Sequence, residues 1–227
     1  MIDVLYEDNQ VLVVNKMQNV PTQADESGDA DLLTMCKQYI KEKYNKSGNV
    51  FLGLVHRLDR PTGGIIVFAR TSKAASRLSE QIRENGFDKR YVAVVEGKVK
   101  NRIGHLVNYL KKDEKNNKVY ICPELEQDAK RAELDYKVID EYENLSLVDV
   151  SLLTGRSHQI RVQFSTMGNP IVSDIKYGAK QKITKNLSLW AYKLSFKHPT
   201  KDQILTFTSF PPEKDVPWKF FDLHKLS

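Results

Sequence analysis

A carboxylate in an unusual setting, Asp59, lies in the run HRLDRPTGG, where His56, Arg57 and Arg60 are its basic or cationic neighbours. Two glycines and an apolar, strand-like run, IIVFA, follow it. Nearby cations favour the charged form of an aspartate, so this side chain is expected to be ionised. An ionised carboxylate at a bend can act as a nucleophile, a base or an anchor. The alternative interpretation is an aspartate that only caps a turn or pairs with Arg60.

An aromatic side chain that can bind a base, Tyr91, lies in the run FDKRYVAVVEG, directly after Lys89 and Arg90. Stacking of a base on an aromatic ring contributes roughly 1–3 kcal/mol and tolerates any base, because every base has a π-face. A tyrosine in a strand is also common in a protein core. The sequence leaves both interpretations open.

A basic turn is expected in the run LLTGRSHQIRVQF, where Gly155 permits a sharp bend between a strand and a helix. Arg156, His158 and Arg161 cluster around the predicted helix start, and free backbone N–H groups there also attract anions. This pattern predicts a phosphate or carboxylate partner. We favour an ion pair between Arg156 and Asp59, which would keep the carboxylate ionised and oriented. A solvent-facing basic turn is the alternative.

A fourth segment, GNPIVSDIKYG at 168–178, is punctuated by glycine and proline and contains the apolar residues Ile171 and Val172. It is compatible with the lining of a pocket and equally with a packed connection between elements.

Several other chemistries are excluded by spacing. The chain has no GxxxxGK[ST] or GxGxxG run for nucleotide phosphates, no HExxH run, and no histidines with metal-ligand spacing. Ser157 and His158 are sequence neighbours without a nucleophile elbow, and Asp59 has no obvious acidic companion. Cys36 and Cys122 form no CxxC pair, which argues against a zinc site or a disulfide framework and for a reducing compartment.

Composition and charge bound the class of protein. The chain has 227 residues and a formal charge of 35 − 29 = +6. A basic balance favours a polyanionic partner such as nucleic acid. No apolar run approaches the roughly 20 residues that cross a bilayer, and the N-terminal run MIDVLYEDNQ is unlike a signal peptide. We therefore predict a cytoplasmic protein without membrane contact, and a monomer because heptads are absent.

The elements that position these residues follow from periodicity. Apolar spacing predicts helices over about 31–44 and 72–84, the second capped by Thr71 or Ser72, and a short helix between Gly155 and Gly168.

The charged run at 111–118 is expected to be a solvated hairpin tip, with RNA contact as the alternative. The other β-rich runs follow one another directly, which predicts an α+β fold on a largely antiparallel sheet. Residues 1–16 are expected to form two short strands around the turn EDNQ, and the further runs are GIIVFA, RYVAVVEG, HLVNYL, AELDYKVIDEY, LSLVDVSLL, LWAYKLSF and QILTFTSF.

Three motifs in this order, HRLDRPTGGIIVFA, KRYVAVVEG and GRSHQIRVQF, resemble those of the RluA-type RNA pseudouridine synthases. YEDNQVLVVNK and NPIVSDIKYG also match, so the resemblance runs from about residue 3 to about residue 180. It implies one catalytic domain over 1–227, with a mixed sheet bisected by a cleft and flanked by helices. Many members carry a small S4-like RNA-binding domain at the N-terminus, and we expect none here because the resemblance begins at about residue 3. It also implies isomerisation of uridine to pseudouridine in ribosomal or transfer RNA, without metal or organic cofactor.

The resemblance also implies roles for individual residues. Asp59 corresponds to the catalytic aspartate, Tyr91 to the tyrosine that stacks on the target base and takes part in proton transfer, and Arg156 to the basic partner of the aspartate. Arg57 corresponds to the arginine that replaces the flipped nucleotide, and Ile171 or Val172 is expected to form the apolar wall of the pocket. The residues expected to bind substrate are Arg57, Ile171, Val172, Gln159 and Arg161.

The sequence departs from the family's pattern at three places. Gly63 stands where a serine is common, Met17 interrupts a run that often reads Lys-Pro-x-Gly, and Gln163 replaces a common histidine. None of these changes removes a residue expected in the chemistry. They do bear on the shape of the cleft and therefore on the substrate.

A second class of function is a non-catalytic RNA-binding or RNA-folding protein that retains the same fold. A pure binder does not need a complete set of Asp59, Tyr91 and Arg156, and all three are present. The sequence therefore favours the enzyme.

Overall fold

The computed structural model describes residues 2–180 and 183–226, which contain three α-helices and eleven β-strands. The helices are α1 (Leu32–Lys43), α2 (Ser72–Arg83) and α3 (Gln159–Thr166). The strands are β1 (Asp3–Glu7), β2 (Val11–Lys16), β3 (Gly53–Leu54), β4 (Gly63–Ala69), β5 (Asp88–Glu96), β6 (Ile103–Asp113), β7 (Lys118–Cys122), β8 (Lys130–Tyr142), β9 (Leu145–Leu152), β10 (Leu189–Lys197) and β11 (Ile204–Thr208).

The chain divides into two compact units, each built from two separate stretches of sequence. The first unit contains Met1–Asp88 and Ala191–Ser209, and the second contains Lys89–Trp190 and Phe210–Ser227. The expectation of a single domain over the whole chain stays a prediction.

The first unit is a sheet of order β1-β2-β4-β10, with β3 paired to β4 and β11 paired to β10. Side chains of the strands and of α2 form its core, because alternate strand positions and the apolar face of an amphipathic helix point the same way. The core residues include Val13, Val67, Leu78, Leu194 and Phe196. Thr71 caps α2, as predicted, by accepting a hydrogen bond from Ala74 N.

Gly64 lies where a side chain does not fit. Its φ is +117°, and a Cβ atom there would lie 2.2 Å from the carbonyl oxygen of Ala191. The second glycine of the HRLDRPTGG run is therefore required by the close approach of two backbones, because glycine alone has neither the steric clash nor the φ penalty.

The second unit is a sheet of order β5-β9-β8-β6-β7, in which every neighbouring pair with a described register is antiparallel. The charged tip predicted at 111–118 is shorter than expected, because β6 continues to Asp113 and β7 begins at Lys118. α3 packs against this sheet, with Phe164 edge-on to Tyr136 at a centroid distance of 5.5 Å.

The predicted fold class, α+β on a mostly antiparallel sheet, is confirmed. All three predicted helices are present. α1 and α2 begin within one residue of their expected starts, whereas α3 begins at Gln159 rather than directly after Gly155. Two short strands, β3 and β7, were missed because their runs are brief and lack clear alternation. No helix among the described residues is long and apolar enough to cross a membrane.

Candidate functional site

Asp59 lies half-buried in the first unit, in the loop that connects β3 to β4. Its carbonyl oxygen accepts a hydrogen bond from Thr62 N at 2.9 Å, which closes a tight turn around Arg60 and Pro61. Leu58, next to it, is 5% exposed and anchors the loop in the core. The local sequence therefore holds the carboxylate at a fixed bend between two strands.

A second segment, residues 16–22, fixes the backbone of this loop. Thr22 Oγ1 donates to Leu58 O at 2.7 Å, Asn19 N donates to Arg60 O at 2.8 Å, and Gln18 Nε2 donates to Pro61 O at 3.0 Å. Each of the three carbonyl groups flanking Asp59 is thus bound by at least one donor of this segment. Such a loop has little freedom to move its carboxylate.

Lys16 provides the innermost of these contacts. It is 0% exposed, and its Nζ donates to Val20 O at 2.7 Å, Arg60 O at 3.0 Å and Met17 O at 3.1 Å. Burial lowers the pKa of Lys16 to about 7, and the charge of Asp59 opposes that shift. In its protonated form Lys16 is therefore a buried cation in the electrostatic range of the candidate catalytic carboxylate. The sequence analysis did not assign a role to Lys16.

The basic neighbours of Asp59 in sequence have other contacts. His56 Nε2 accepts a hydrogen bond from Val67 N at 3.1 Å, and the guanidinium of Arg60 binds Asp29 and Ser27. Arg57 is exposed. The positive setting expected from the run HRLDR is thus supplied in part by Lys16, which lies far from it in sequence.

Tyr91 lies in the second unit on β5, opposite Val150 of β9, and is 8% exposed. Residues two apart in a strand share a face, so Lys89 lies on the same face as Tyr91, while Arg90 points to the other face. Arg90 Nη1 forms an ion pair of 2.9 Å with Asp149 Oδ2 there. The two basic residues before Tyr91 therefore have different surroundings.

Lys89 lies beside the basic turn of the third motif. Its Nζ is 3.6 Å from the position that a Cβ atom would occupy at Gly155. Partial burial lowers the pKa of Lys89, and the neighbouring charge of Arg156 lowers it further. The structure thus places two cations together at this turn.

The basic turn is held against β8 by a set of hydrogen bonds. Arg156 Nε donates to Arg131 O at 2.9 Å. Gln159, which is 2% exposed, accepts from Arg156 N at 3.0 Å and from Thr154 Oγ1 at 2.8 Å, and its Nε2 donates to Glu133 O at 3.1 Å. In this structure Gln159 shapes the turn that carries Arg156, and its predicted contact with substrate stays a prediction.

The other two basic residues of the motif, His158 and Arg161, are buried in contacts with residues 174–177. Arg161 forms a bidentate ion pair with Asp174, at 2.7 Å and 2.8 Å. His158 has a left-handed backbone, with φ of 53°, and its Nδ1 lies 2.7 Å from Tyr177 Oη. These contacts tie α3 to the segment that contains Ile171 and Val172.

Ile171 and Val172 are both 0% exposed. Ile171 forms a β-bridge with Val95, and Val172 N donates to Val94 O at 2.9 Å. The segment is therefore packed along β5, the strand of Tyr91, and its role as the wall of a pocket stays a prediction.

The site residues predicted from the sequence are thus distributed over both units. Asp59 and Arg57 belong to the first, and the others belong to the second: Tyr91, Arg156, Gln159, Arg161, Ile171 and Val172. The ion pair between Arg156 and Asp59 stays a prediction. Sequence reasoning missed Lys16 and Lys89. Two features of the sequence could have pointed to them. Lys16 stands at the end of an apolar strand, and Lys89 lies two residues before Tyr91, on the same face of the strand.

Comparison with known proteins points to one family. Residues 10–166 match the family model described as RNA pseudouridylate synthase. The Bacillus subtilis (strain 168) protein named "Uncharacterized RNA pseudouridine synthase YhcT" is 32% identical over 208 residues, which cover 90% of this chain and 67% of that protein. A Salmonella typhimurium protein, ribosomal large subunit pseudouridine synthase C, is 33% identical over 216 residues, which cover 89% of this chain and 64% of that protein.

Solved structures share the fold. The structure titled "Human RNA Pseudouridylate Synthase Domain Containing 4" superposes with a TM-score of 0.76 and 23% identity, covering 92% of this chain and 88% of that chain. "Human RNA Pseudouridylate Synthase Domain Containing 1" gives a TM-score of 0.75 and 22% identity, covering 93% of this chain and 84% of that chain. The arrangement of strands and helices described above is therefore that of these proteins.

Proposed function

Because this chain belongs to the RNA pseudouridylate synthase family, of RluA type, and is by that membership an isomerase, we propose that it converts specific uridines of a structured RNA to pseudouridine with Asp59 as the catalytic carboxylate. The observation that carries this proposal is the setting of Asp59. It lies half-buried in a loop whose flanking carbonyl groups are bound by residues 16–22, with the buried Lys16 in its electrostatic range.

The first step is exposure of the target nucleotide. Uracil in a helix or stacked loop hides its reacting atoms, so the enzyme flips the nucleotide out at a cost of a few kcal/mol. Arg57, which is exposed and lies two residues before Asp59 in the sequence, is suited to fill the vacated space. Its planar guanidinium stacks on bases and donates to their edges, which offsets part of the cost of unstacking.

The second step is the exchange of glycosidic bonds. The bond between N1 and C1′ breaks, the uracil rotates, and a bond forms between C5 and C1′. The C5 proton is lost and N1 gains a proton, so the product is an isomer of the substrate. The ionised Asp59 acts either as the nucleophile or as the base that deprotonates the ribose, and both roles need the carboxylate form.

The remaining predicted residues support this exchange. Tyr91 holds the base by stacking and assists removal of the C5 proton, and Arg156 keeps Asp59 ionised and oriented. Arg156 is suited to this part because its Nε is anchored on Arg131 O, which leaves the outer guanidinium nitrogens to bind an anion.

The substrate to test first is ribosomal RNA. Several relatives are named ribosomal large subunit pseudouridine synthase C, including those of Salmonella typhimurium and Vibrio vulnificus. Transfer RNA is the second substrate class, because the catalytic motifs do not distinguish the two. The net charge of +6 favours either polyanion.

The Asp59→Asn variant tests the assignment. Unmodified large-subunit ribosomal RNA and transfer RNA, transcribed with uridine tritiated at C5, release tritium when pseudouridine forms. We expect Asp59→Asn to lower the rate of release by about 10³-fold or more, while RNA binding stays within a few-fold of wild type. The matched control is Asp202→Asn, an exposed aspartate of the same unit, with wild-type release.

Two results would contradict this proposal. Normal tritium release by Asp59→Asn would remove Asp59 from the chemistry. Tight RNA binding by wild type without release from any tested RNA would favour the non-catalytic RNA-binding protein.

A further inference from the structure

We propose that Lys89 and Arg156, with the open turn at Gly155 between them, form a binding site for a phosphodiester of the RNA next to the target nucleotide. The site lies entirely within the second unit. This proposal rests on the proposed function, because it takes RNA as the ligand.

The first argument is the charge of the site. Lys89 Nζ lies beside Gly155, and Arg156 is near enough to lower the pKa of Lys89. Among the described residues of the second unit, neither side chain forms an ion pair with an Asp or Glu. Two neighbouring cations, one of them partly buried, repel each other, and an anion bound between them removes that repulsion.

The second argument is the contrast with nearby basic residues. Arg90, the next residue along β5, is paired with Asp149, and Arg161, one helical turn beyond the basic turn, is paired with Asp174. The fold supplies a carboxylate to each of these arginines. The described residues of the second unit supply no such carboxylate to Lys89 or Arg156, so Lys89 and the outer nitrogens of Arg156 can bind a ligand beside the predicted contact of Arg156 with Asp59.

The third argument is position. Lys89 and Tyr91 lie on the same face of β5, about 7 Å apart along the strand. That spacing is comparable to the distance between the base and the phosphate of one nucleotide. A nucleotide whose base stacks on Tyr91 can thus place a phosphate near Lys89.

The geometry of the turn also leaves space and donors. Gly155 is exposed, and among the described residues other than its two chain neighbours a Cβ atom there would lie within 4 Å of Lys89 Nζ alone. Arg156 uses Nε on Arg131 O, so its outer nitrogens point away from that contact and retain four N–H donors. Four donors are enough for a phosphate oxygen and for the predicted contact with Asp59.

The salt dependence of RNA binding tests this site. The probe is a fluorescein-labelled oligouridylate about 12 nucleotides long, within the range that a single-strand-binding site covers. Each phosphate contact on a single strand contributes about 0.7 to the slope of log K against log salt concentration. We expect Lys89→Met to weaken binding several-fold and to lower this slope by about 0.7, and Lys89→Arg to restore both.

The matched control is Lys137→Met, an exposed lysine on β8 of the same unit, for which we expect the wild-type slope. Thermal unfolding distinguishes ligand binding by Lys89 from a structural role, because removal of a lysine that stabilises the fold would lower the melting temperature. Removal of one of two repelling cations is expected to keep or raise the melting temperature of Lys89→Met.

A second pair of variants addresses the charge without removing Lys89. A Cβ atom at Gly155 makes only an ordinary contact with Lys89 Nζ, so Gly155→Asp places a carboxylate where the phosphate is proposed to bind. Gly155→Asn has the same size without the charge. We expect Gly155→Asp to bind the oligouridylate several-fold more weakly than Gly155→Asn and to unfold at a higher temperature.

The outcomes are separable from those of the proposed function. A wild-type affinity and slope in Lys89→Met, or equal binding by the two Gly155 variants, would overturn the phosphate site even if wild type forms pseudouridine. Absence of tritium release from wild type would overturn the proposed function even if the slope falls as expected.

Discussion

Lys16 is a fully buried lysine whose ammonium is surrounded by carbonyl oxygens. Removing a lysine from water disfavours its charged form, and three carbonyl contacts and the field of Asp59 act against that cost. Lys16 joins the end of β2 to the loop of Asp59 through the hydrogen bond from its Nζ to Arg60 O. A strand residue therefore positions a loop 44 residues further along the chain.

The pH dependence of stability reports on this burial. With a pKa of about 7 in the folded chain and 10.5 when exposed, Lys16 binds a proton only in the unfolded state between these values. The free energy of unfolding therefore rises with pH through this window, by up to about 1.4 kcal/mol per pH unit. We expect Lys16→Met to lack this rise in urea unfolding at pH 7, 8 and 9.

The control is Lys73→Met, an exposed lysine of α2, which is expected to follow the wild-type profile. Parallel profiles for wild type and Lys16→Met would show that Lys16 does not change its protonation on folding in this range.

Asn19 shows how a departure from the family's pattern is accommodated. Its φ is 65°, in the left-handed region, and its N–H binds Arg60 O. The family often has glycine in this run. Asparagine is among the residues that adopt this conformation at the least cost, so the bend that supports the loop of Asp59 is retained.

At the scale of elements, β7 and α3 are joined by one phenol group. Tyr177 Oη accepts from Val119 N of β7 at 2.8 Å and lies 2.7 Å from Nδ1 of His158, the residue before α3. The cations of Lys118 and Arg161 lie over its ring at 5.7 Å and 4.8 Å. The hairpin of β6 and β7 is thereby fixed to the start of the helix that follows the basic turn.

Tyr177→Phe tests this connection. The ring and its contacts with the cations remain, but the buried N–H of Val119 loses this acceptor and His158 loses this contact. We expect the free energy of unfolding to fall by about 1–3 kcal/mol, measured by urea titration. Tyr120→Phe, at an exposed position of β7, is the control and is expected to change stability by less than about 0.5 kcal/mol. Equal stability of the two variants would contradict this role.

At the scale of the whole molecule, neither unit is a continuous piece of sequence. The core of the first unit takes Val13 and Val67 from residues before 88, and Leu194, Phe196 and Leu205 from the segment 191–209. The first unit is therefore completed only after most of the chain has been synthesised.

A fragment of residues 1–88 is consequently expected not to fold. It lacks three large core side chains, each worth about 2–5 kcal/mol, and their sum matches or exceeds the usual stability of a domain. Circular dichroism should show no cooperative thermal transition. The same fragment joined to residues 191–209 through a flexible Gly-Ser linker is the control and should regain one. A cooperative transition in the shorter fragment would contradict this assignment of the core.

Most of the elements, the α+β class and the order of the three motifs could be read from the sequence alone. Local information is sufficient for these, because helical and strand periodicity, the Thr71 cap and the glycines act over a few residues. Asp59, Tyr91 and Arg156 were also identified by residue type and order. The family match supports that identification of the protein, while their individual roles are the subject of the experiments above.

The partners of the polar residues, by contrast, follow from the tertiary fold and could not be read from the sequence. Arg161 and Gln159 look like ligand-binding residues in sequence, yet Arg161 pairs with Asp174 and Gln159 braces the turn of Arg156. Lys16 and Lys89 look like ordinary surface lysines, yet one is fully buried and the other lies beside Gly155. The physical reason is that a side chain's type fixes which bonds it can form, whereas the folding of distant segments fixes which partner is within reach.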